Sequence, residues 1–311
     1  MNGAIEVDGL GKTYRRAKKS ALTNVSLQID AGEIFGLVGP NGAGKTTFMA
    51  CMLGLLFPST GHILIDGRPP DDLAVRRATG YLPERLQFDR WMTGRAFLDL
   101  HHCLAGLPAS HRIGEVTALL QRVGLEPAHW LSPIKKYSRG MLQRLGLAQA
   151  LIGSPRFLFL DEPASGVDPA GVLAFREILT DLGRGGTTIV LNSHQLDQLE
   201  RVCDRVAYIE AGAIRHVENL RSAEAGRRVL LVRWLANDAM PAEARAAAVA
   251  RQLAATVVDI APGNGRFAVA DDAQAAALLR GLVDGGVAVV EAAPESGRLE
   301  RLFRSDAGKQ A

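Results

Sequence analysis

The sequence predicts an α/β protein: a mostly parallel sheet covered by helices, with a helical insert and a small α+β unit after it. Three observations lead there. Continuous apolar runs at 34–38, 157–160 and 188–191 have the pattern of strands buried on both faces. The first ends in GPNGAGKTT and is followed by helical spacing through Phe48, Met49, Met52 and Leu53, which is half of a βαβ unit. The second and third are separated by a helix pattern through Leu173, Phe175, Ile178 and Leu182, and this alternation argues for parallel strands.

The remaining elements follow in order. Ile5 and Val7 precede a turn at Gly9, and Val25, Leu27 and Ile29 alternate before Ala31-Gly32, as strands do. Residues 91–136 contain no strand run. Phe97, Leu98, Leu100 and Leu104, then Val116, Leu119, Leu120 and Val123, have helical spacing, with Pro127 and Pro133 near the end. A helical subdomain is expected at about 91–140. Beyond about residue 220 the composition shifts to alanine and arginine. The order there is strand (229–234), helix (242–254), strand (257–260), strand (267–270), helix (273–282) and strand (287–290). This β-α-β-β-α-β order is ferredoxin-like. The expected division is a main domain at 1–220 and an accessory domain at 221–311.

Composition excludes several classes. The 311 residues are 47% hydrophobic and 22% charged, which is globular and not collagenous, mucin-like or disordered. A net charge of +3 is too small to imply a polyanion-binding surface by itself. Cys51, Cys103 and Cys203 lie far apart, which suits reduced thiols better than a disulfide scaffold. No apolar run approaches the ~20 residues of a membrane span. MNGAIEVDGL lacks the basic and apolar segments of a secretory signal. The expectation is a soluble chain in the cytoplasm whose membrane work, if any, needs other subunits.

Gly39-Pro40-Asn41-Gly42-Ala43-Gly44-Lys45-Thr46 matches G-x-x-x-x-G-K-[ST]. Its glycines let the backbone N–H groups face one concavity, and the following helix adds its positive N-terminal end. Phosphate belongs there, with Lys45 at the β- and γ-phosphates and the Thr46 hydroxyl on Mg²⁺; Thr47 extends the group. Asp161, at the end of FLFLD, places a carboxylate beside that loop, in the position of a magnesium ligand. Glu162 follows it and can polarise an attacking water.

With FLFLDEP, the Ser165-Gly166-Val167-Asp168 turn and Ser193-His194, the chain from about 4 to 218 resembles the ABC ATPases. Tyr137-Ser138-Arg139-Gly140-Met141 resembles that family's signature loop, in the YSxGM form of an exporter branch. The resemblance implies a P-loop NTPase fold that binds and hydrolyses ATP with Mg²⁺. It implies that Tyr14 stacks on adenine and that His194 contacts the γ-phosphate. Ser138, Arg139, Gly140 and Met141 would act on the ATP of a second copy, and Asp168 would cross that dimer interface. Glu84, in GYLPE, stands where the family usually has a metal-sensing glutamine. With Thr46 and Asp161 it completes the implied metal ligands. The implied catalytic set is Glu162, His194 and Lys45. The implied partners are a transmembrane permease and a second copy, at the cytoplasmic face of a membrane, with no nucleic acid and cargo export as the expected direction.

The tail Leu299-Glu300-Arg301-Leu302-Phe303 is similar to that branch's ending. A narrower resemblance, to the ATPases that assist nitrous-oxide reductase maturation, rests on GYLPE and Met92-Thr93-Gly94-Arg95. Nucleic-acid or ribosome-associated ABC ATPases are the rival. They carry a long coiled coil or two cassettes, whereas here only 46–136 separates the loop from the signature. A cassette that binds ATP without turnover is the other alternative, and Glu162 and His194 argue against it. His101-His102-Cys103 is not read as a metal site, because adjacent helix residues face different ways. Arg15, Arg16, Lys18 and Lys19 are read as a solvated hairpin tip, with anionic lipid as the minority reading.

Overall fold

The computed structural model describes residues 4–15, 19–221, 228–235, 242–294 and 299. The chain divides into two compact units, Met1–Leu220 and Arg221–Ala311. The first begins with β1 (Ile5–Lys12) and β2 (Leu22–Ile29), an antiparallel pair; β3 (Ile34–Val38) then leads into α1 (Lys45–Met52). β4 (Thr60–Ile65) returns to the other edge of β1, closing a three-stranded antiparallel sheet. α2 (Leu73–Arg77) and β5 (Thr79–Leu82) precede the helical insert. The insert consists of α3 (Gly94–Leu104), α4 (Ala109–Arg122), α5 (Pro127–Trp130), a 3₁₀ turn at Ile134–Lys136 and α6 (Arg139–Ala150). β6 (Phe157–Asp161), α7 (Pro169–Arg184), β7 (Thr188–Asn192), α8 (Leu196–Val202), β8 (Arg205–Glu210) and β9 (Ala213–Asn219) complete the unit.

The larger sheet has the order β5-β6-β7-β3-β8-β9, parallel from β5 to β8 with β9 antiparallel at the edge. β3, β6 and β7 are buried at every position, their apolar interiors as expected and the polar Asp161, Thr188 and Asn192 at their ends as well. α1 joins the two sheets. Its Phe48, Met49, Cys51 and Met52 share a core with Ile5, Ile29 and Ile65 of the small sheet and Phe35, Leu37 and Phe159 of the large one. Burying side chains of this size contributes roughly 1.5–3 kcal/mol each, so the phosphate loop, which enters α1 directly, stands on rigid ground. The loops that leave β3, β6 and β7 at their carboxyl ends emerge on one edge, the usual place for a site in such a sheet.

Thr93 caps α3 by accepting from the Ala96 N–H at 3.1 Å. The three residues of 101–103 meet three different neighbours. His102 is fully buried, with Nε2 3.2 Å from Oε2 of Glu115 on α4. His101 Nδ1 lies 3.4 Å from Nε2 of Gln149 on α6, and Cys103 Sγ accepts from Arg112 at 2.7 Å.

The second unit contains β10 (Arg228–Trp234), α9 (Ala242–Gln252), β11 (Thr256–Ala261), β12 (Asn264–Val269), α10 (Asp272–Asp284) and β13 (Val289–Pro294). Its sheet is antiparallel in the order β11-β12-β10-β13. β12 therefore lies between β10 and β11, the split βαβ arrangement of a ferredoxin-like module. Ala242, Ala246 and Ala250 recur every four residues along α9 and are its buried face. They pack with Val232, Trp234, Phe267, Leu278 and Leu282. Boundaries move from the apolar runs. β12 starts at Asn264, ahead of its apolar stretch, because the turn at 262–263 pairs Asn264 directly with Ala261. β13 runs later, to Pro294, following the length of β10.

Arg16 and Lys18 of the basic run, and 300–303 of the tail, lie outside the described residues. Among the described residues, Cys51 and Cys203 are buried, Cys103 is exposed and all three are free. No helix among them is long and apolar enough to cross a membrane.

Candidate active site

The loop from β3 can enter α1 only through Gly44. Its φ is 106°, and a Cβ there would meet the Ala21 carbonyl oxygen at 2.5 Å. The first turn of α1 holds no acidic residue and no side-chain cap, so its N–H groups remain for an anion. Lys45 folds back across the loop. Its Nζ donates to the carbonyl oxygens of Gly39 at 2.7 Å and Pro40 at 3.0 Å. Burial lowers its pKa, while Glu162 and Asp161 oppose that shift.

Asp161 is 4% exposed at the end of β6. Asn192, at the end of neighbouring β7, donates from Nδ2 to Asp161 Oδ1 at 2.5 Å. Burial raises the Asp161 carboxyl above its ordinary pKa; the Asn192 bond counters this, Glu84 and Glu162 add to it, and Lys45 counters it. Glu162 takes a left-handed φ of 51°, which costs a non-glycine residue roughly 1–2 kcal/mol. Its carboxylate is held on both oxygens by His194: Nδ1 lies 2.8 Å from Oε2, and the main-chain N–H donates to Oε1 at 3.0 Å.

A cavity of about 310 Å³ is lined by residues 41–47, Glu84, Glu162 and His194, together with Ala21, Ser165 and Asn192; Gly39, Pro40 and Asp161 are not part of its wall. Tyr14 stands beside it, 43% exposed, with its hydroxyl 3.2 Å from Thr47 Oγ1. Ala21 and Asn192 were not given a site role by sequence, and Ser165 entered only as part of the 165–168 turn. Asn192 ends an apolar run and reads there as an ordinary strand end.

Among the described residues, no cluster of three or more His, Cys, Asp or Glu is placed to hold a metal alone. The oxygens of Thr46, Asp161 and Glu84 are nonetheless hard donors suited to Mg²⁺ completed by phosphate and water. Asn192 Oδ1 is buried without a hydrogen-bond partner, an acceptor that a metal-bound water would satisfy. The residues present fit the ion.

The signature residues lie elsewhere. Ser138 caps α6, accepting from the Met141 N–H at 3.3 Å, and Asp168 caps α7, accepting from the Gly171 N–H at 3.3 Å. With Arg139, Gly140, Met141 and Gly166 they line a second cavity of about 600 Å³. None of them lines the first.

A glycine-rich loop between a buried strand and its helix, with carboxylates at the adjoining strand ends and a helical insert, defines a P-loop nucleotide-binding domain. Comparison with known proteins narrows this class. The model of the ABC transporter family matches residues 22–165. The chain is 35% identical over 234 residues to a daunorubicin resistance ATP-binding protein of Streptomyces coeruleorubidus, across 74% of this chain and 73% of that one. It belongs to the ABC transporter ATP-binding family. It is also 43% identical over 211 residues to an uncharacterized ABC transporter ATP-binding protein of Nostoc sp.; the match covers 66% of this chain but only 63% of that protein's length. A dimeric structure of a bacterial ABC transporter cassette matches with a TM-score of 0.65 and 25% identity, over 70% of this chain and 99% of that one. Relatives of similar identity are named for resistance and for import alike.

Proposed function

We propose that this chain binds and hydrolyses ATP with Mg²⁺, as one of two copies that close on ATP and thereby drive a separate membrane-spanning subunit at the cytoplasmic face. One observation carries the reading. The carboxylate of Glu162 is clamped by His194 at the phosphate loop, while the signature residues occupy a different cavity of the same chain. A signature surface that lines a cavity other than the chain's own nucleotide pocket suits work on a second copy, and the likeness to a dimeric cassette supports that reading.

In this reading the loop N–H groups hold the phosphates. Lys45 exchanges its carbonyl acceptors, Gly39 and Pro40, for phosphate oxygens. Mg²⁺, held by Thr46, Asp161 and Glu84, neutralises phosphate charge when bound. Glu162 takes a proton from the attacking water, and His194 keeps the carboxylate aimed. Ser138 and Gly140 meet the ATP of the other copy, and Asp168 lies at the joint. Residues 221–311 form an accessory domain that tunes this cycle. Export is the direction we infer, from the YSRGM signature and the resistance-protein relative.

The test is Mg-ATP turnover of the purified chain across protein concentration. Two-copy catalysis gives specific activity that rises with concentration. Activity per molecule that is constant down to nanomolar chain, in a protein monomeric by light scattering, would refute it.

A further inference from the structure

The segment 162–168 links the two cavities. Glu162 and Ser165 line the first, Gly166 and Asp168 the second. It is folded as two tight turns, with the Ser165 N–H donating to the Glu162 carbonyl at 3.1 Å and the Val167 N–H to the Ala164 carbonyl at 3.2 Å. Two side chains one turn apart on α6 hold it from outside. Gln143 donates from Nε2 to the Glu162 carbonyl at 3.4 Å, and Arg139 donates from Nη2 to Ser165 Oγ at 2.8 Å. The guanidinium occupies the space over Gly166, where a Cβ would come within 2.3 Å of Arg139 Nε. Gly166 also has a φ of +73°, a backbone conformation that strains any residue with a Cβ. Arg139 directly follows Ser138, the cap of α6 in the second cavity.

We propose that Arg139 is a positioning residue that couples the chain's own nucleotide pocket to the surface it offers a second copy. Through Ser165 it makes the Glu162 side of the loop and the Ser138–Asp168 side move as one body. Nucleotide that shifts Ser165 in the first cavity therefore shifts the signature surface. Closure of one site then reports on the other, which is cooperativity between the two ATP sites. This rests on the two-copy reading above. A lysine at 139 retains a donor and a charge but not the planar fork that lies across Gly166.

The experiment compares the full chain with Arg139→Ala, Arg139→Lys, Ser165→Ala and the double alanine variant, measuring turnover against ATP and binding of a fluorescent ATP analogue. Arg139→Ala is expected to lower kcat about tenfold, the loss of one such hydrogen bond, and to flatten a sigmoidal ATP dependence. Arg139→Lys restores part of the cooperativity. Ser165→Ala, which leaves α6 untouched, reproduces the arginine variant, and the double variant is no worse than either single. Parental kcat and cooperativity in Arg139→Ala, or single effects that multiply in the double, would overturn the proposal. If the parent chain itself neither binds nor hydrolyses ATP, the functional reading falls instead. The clamp is then tested by hydrogen exchange of residues 162–168, which must quicken in Arg139→Ala; unchanged exchange overturns it.

Discussion

His194 holds both carboxylate oxygens of Glu162, one through Nδ1 at 2.8 Å and the other through its main-chain N–H at 3.0 Å. The side chain of Glu162 is only 14% exposed while that of His194 is 62% exposed, so the histidine is the outer wall of the pair. The left-handed backbone at Glu162 turns the chain sharply off β6 and departs from local preference at the residue assigned the chemistry.

Glu162→Gln is expected to cut turnover by about 10²–10⁴-fold, the range for losing a positioned base. The amide keeps the size of the carboxyl and an oxygen that can accept from the His194 N–H, so ATP binding persists. With Mg-ATP the variant accumulates as a dimer on gel filtration. Steady-state turnover close to the parent's would remove Glu162 from the base role.

Lys45→Ala acts earlier. It deletes the ammonium that now bridges the Gly39 and Pro40 carbonyls, and with it a charge-assisted bond to phosphate. Such bonds are worth ~1.5–3 kcal/mol, so ATP affinity should fall roughly ten- to hundredfold, measured by calorimetry. Tyr14→Ala should lose ~1–3 kcal/mol if the ring stacks on the base. Tyr14→Phe, which gives up only the hydroxyl near Thr47, should lose far less. Equal losses from both would show that the hydroxyl, not the ring, matters.

How much of this was legible in sequence depends on how each group is built. β3, β6 and β7 announce themselves through the continuous apolar runs that fill their interiors. β4 does not: the first half of TGHILI is exposed, and Gly61 interrupts it. The four residues of β5 are too few to show a period. The phosphate loop and the Asp161-Glu162 pair are contiguous and readable. The Asn192–Asp161 bond spans 31 residues and the Arg139–Ser165 bond spans 26. Contacts of that kind are made by strand order and helix placement, which no local pattern encodes. The ferredoxin-like order was readable, but its strand ends were not, since pairing partners rather than apolarity decide where β12 and β13 begin and stop.

Asp161 makes a stability prediction with a definite sign. Its folded pKa is raised above the ordinary value of 3.8, chiefly by burial. Between those two values the folded chain keeps a proton that the unfolded chain has released, so stability falls as pH rises through that window. At neutral pH the ionised carboxylate burdens the nucleotide-free protein. Asp161→Asn removes the charge and keeps an oxygen to accept from Asn192. Without nucleotide it should melt higher than the parent at pH 7; each ~1 kcal/mol gained corresponds to about 2–4 °C in a unit of this size. The gain should vanish as pH is lowered to about 4. Mg-ATP should raise the melting temperature of the parent much more than that of the variant. A lower melting temperature for the variant at pH 7 would contradict the sign.

The proposed accessory unit is expected to be removable. Every group proposed to handle phosphate lies before Leu220, the end of the first unit, and the core around α1 draws only on residues 4–217. The second unit has a separate core built on Trp234, Phe267, Leu278 and the alanine face of α9. A chain ending at Leu220 is therefore expected to fold, to bind ATP within about twofold of the full chain, and to keep Glu162 and His194 paired, since none of the groups that hold them lies beyond Asn192 and His194. Its turnover, the lifetime of its ATP-bound dimer or its response to the membrane subunit should change, because the unit is assigned to regulation rather than to chemistry. The decisive measurements are a melting curve, ATP calorimetry and steady-state turnover on both lengths of chain. Failure to fold or to bind ATP would place the domain boundary wrongly. Identity in turnover, dimer lifetime and response to the membrane subunit would instead make residues 221–311 a passive extension.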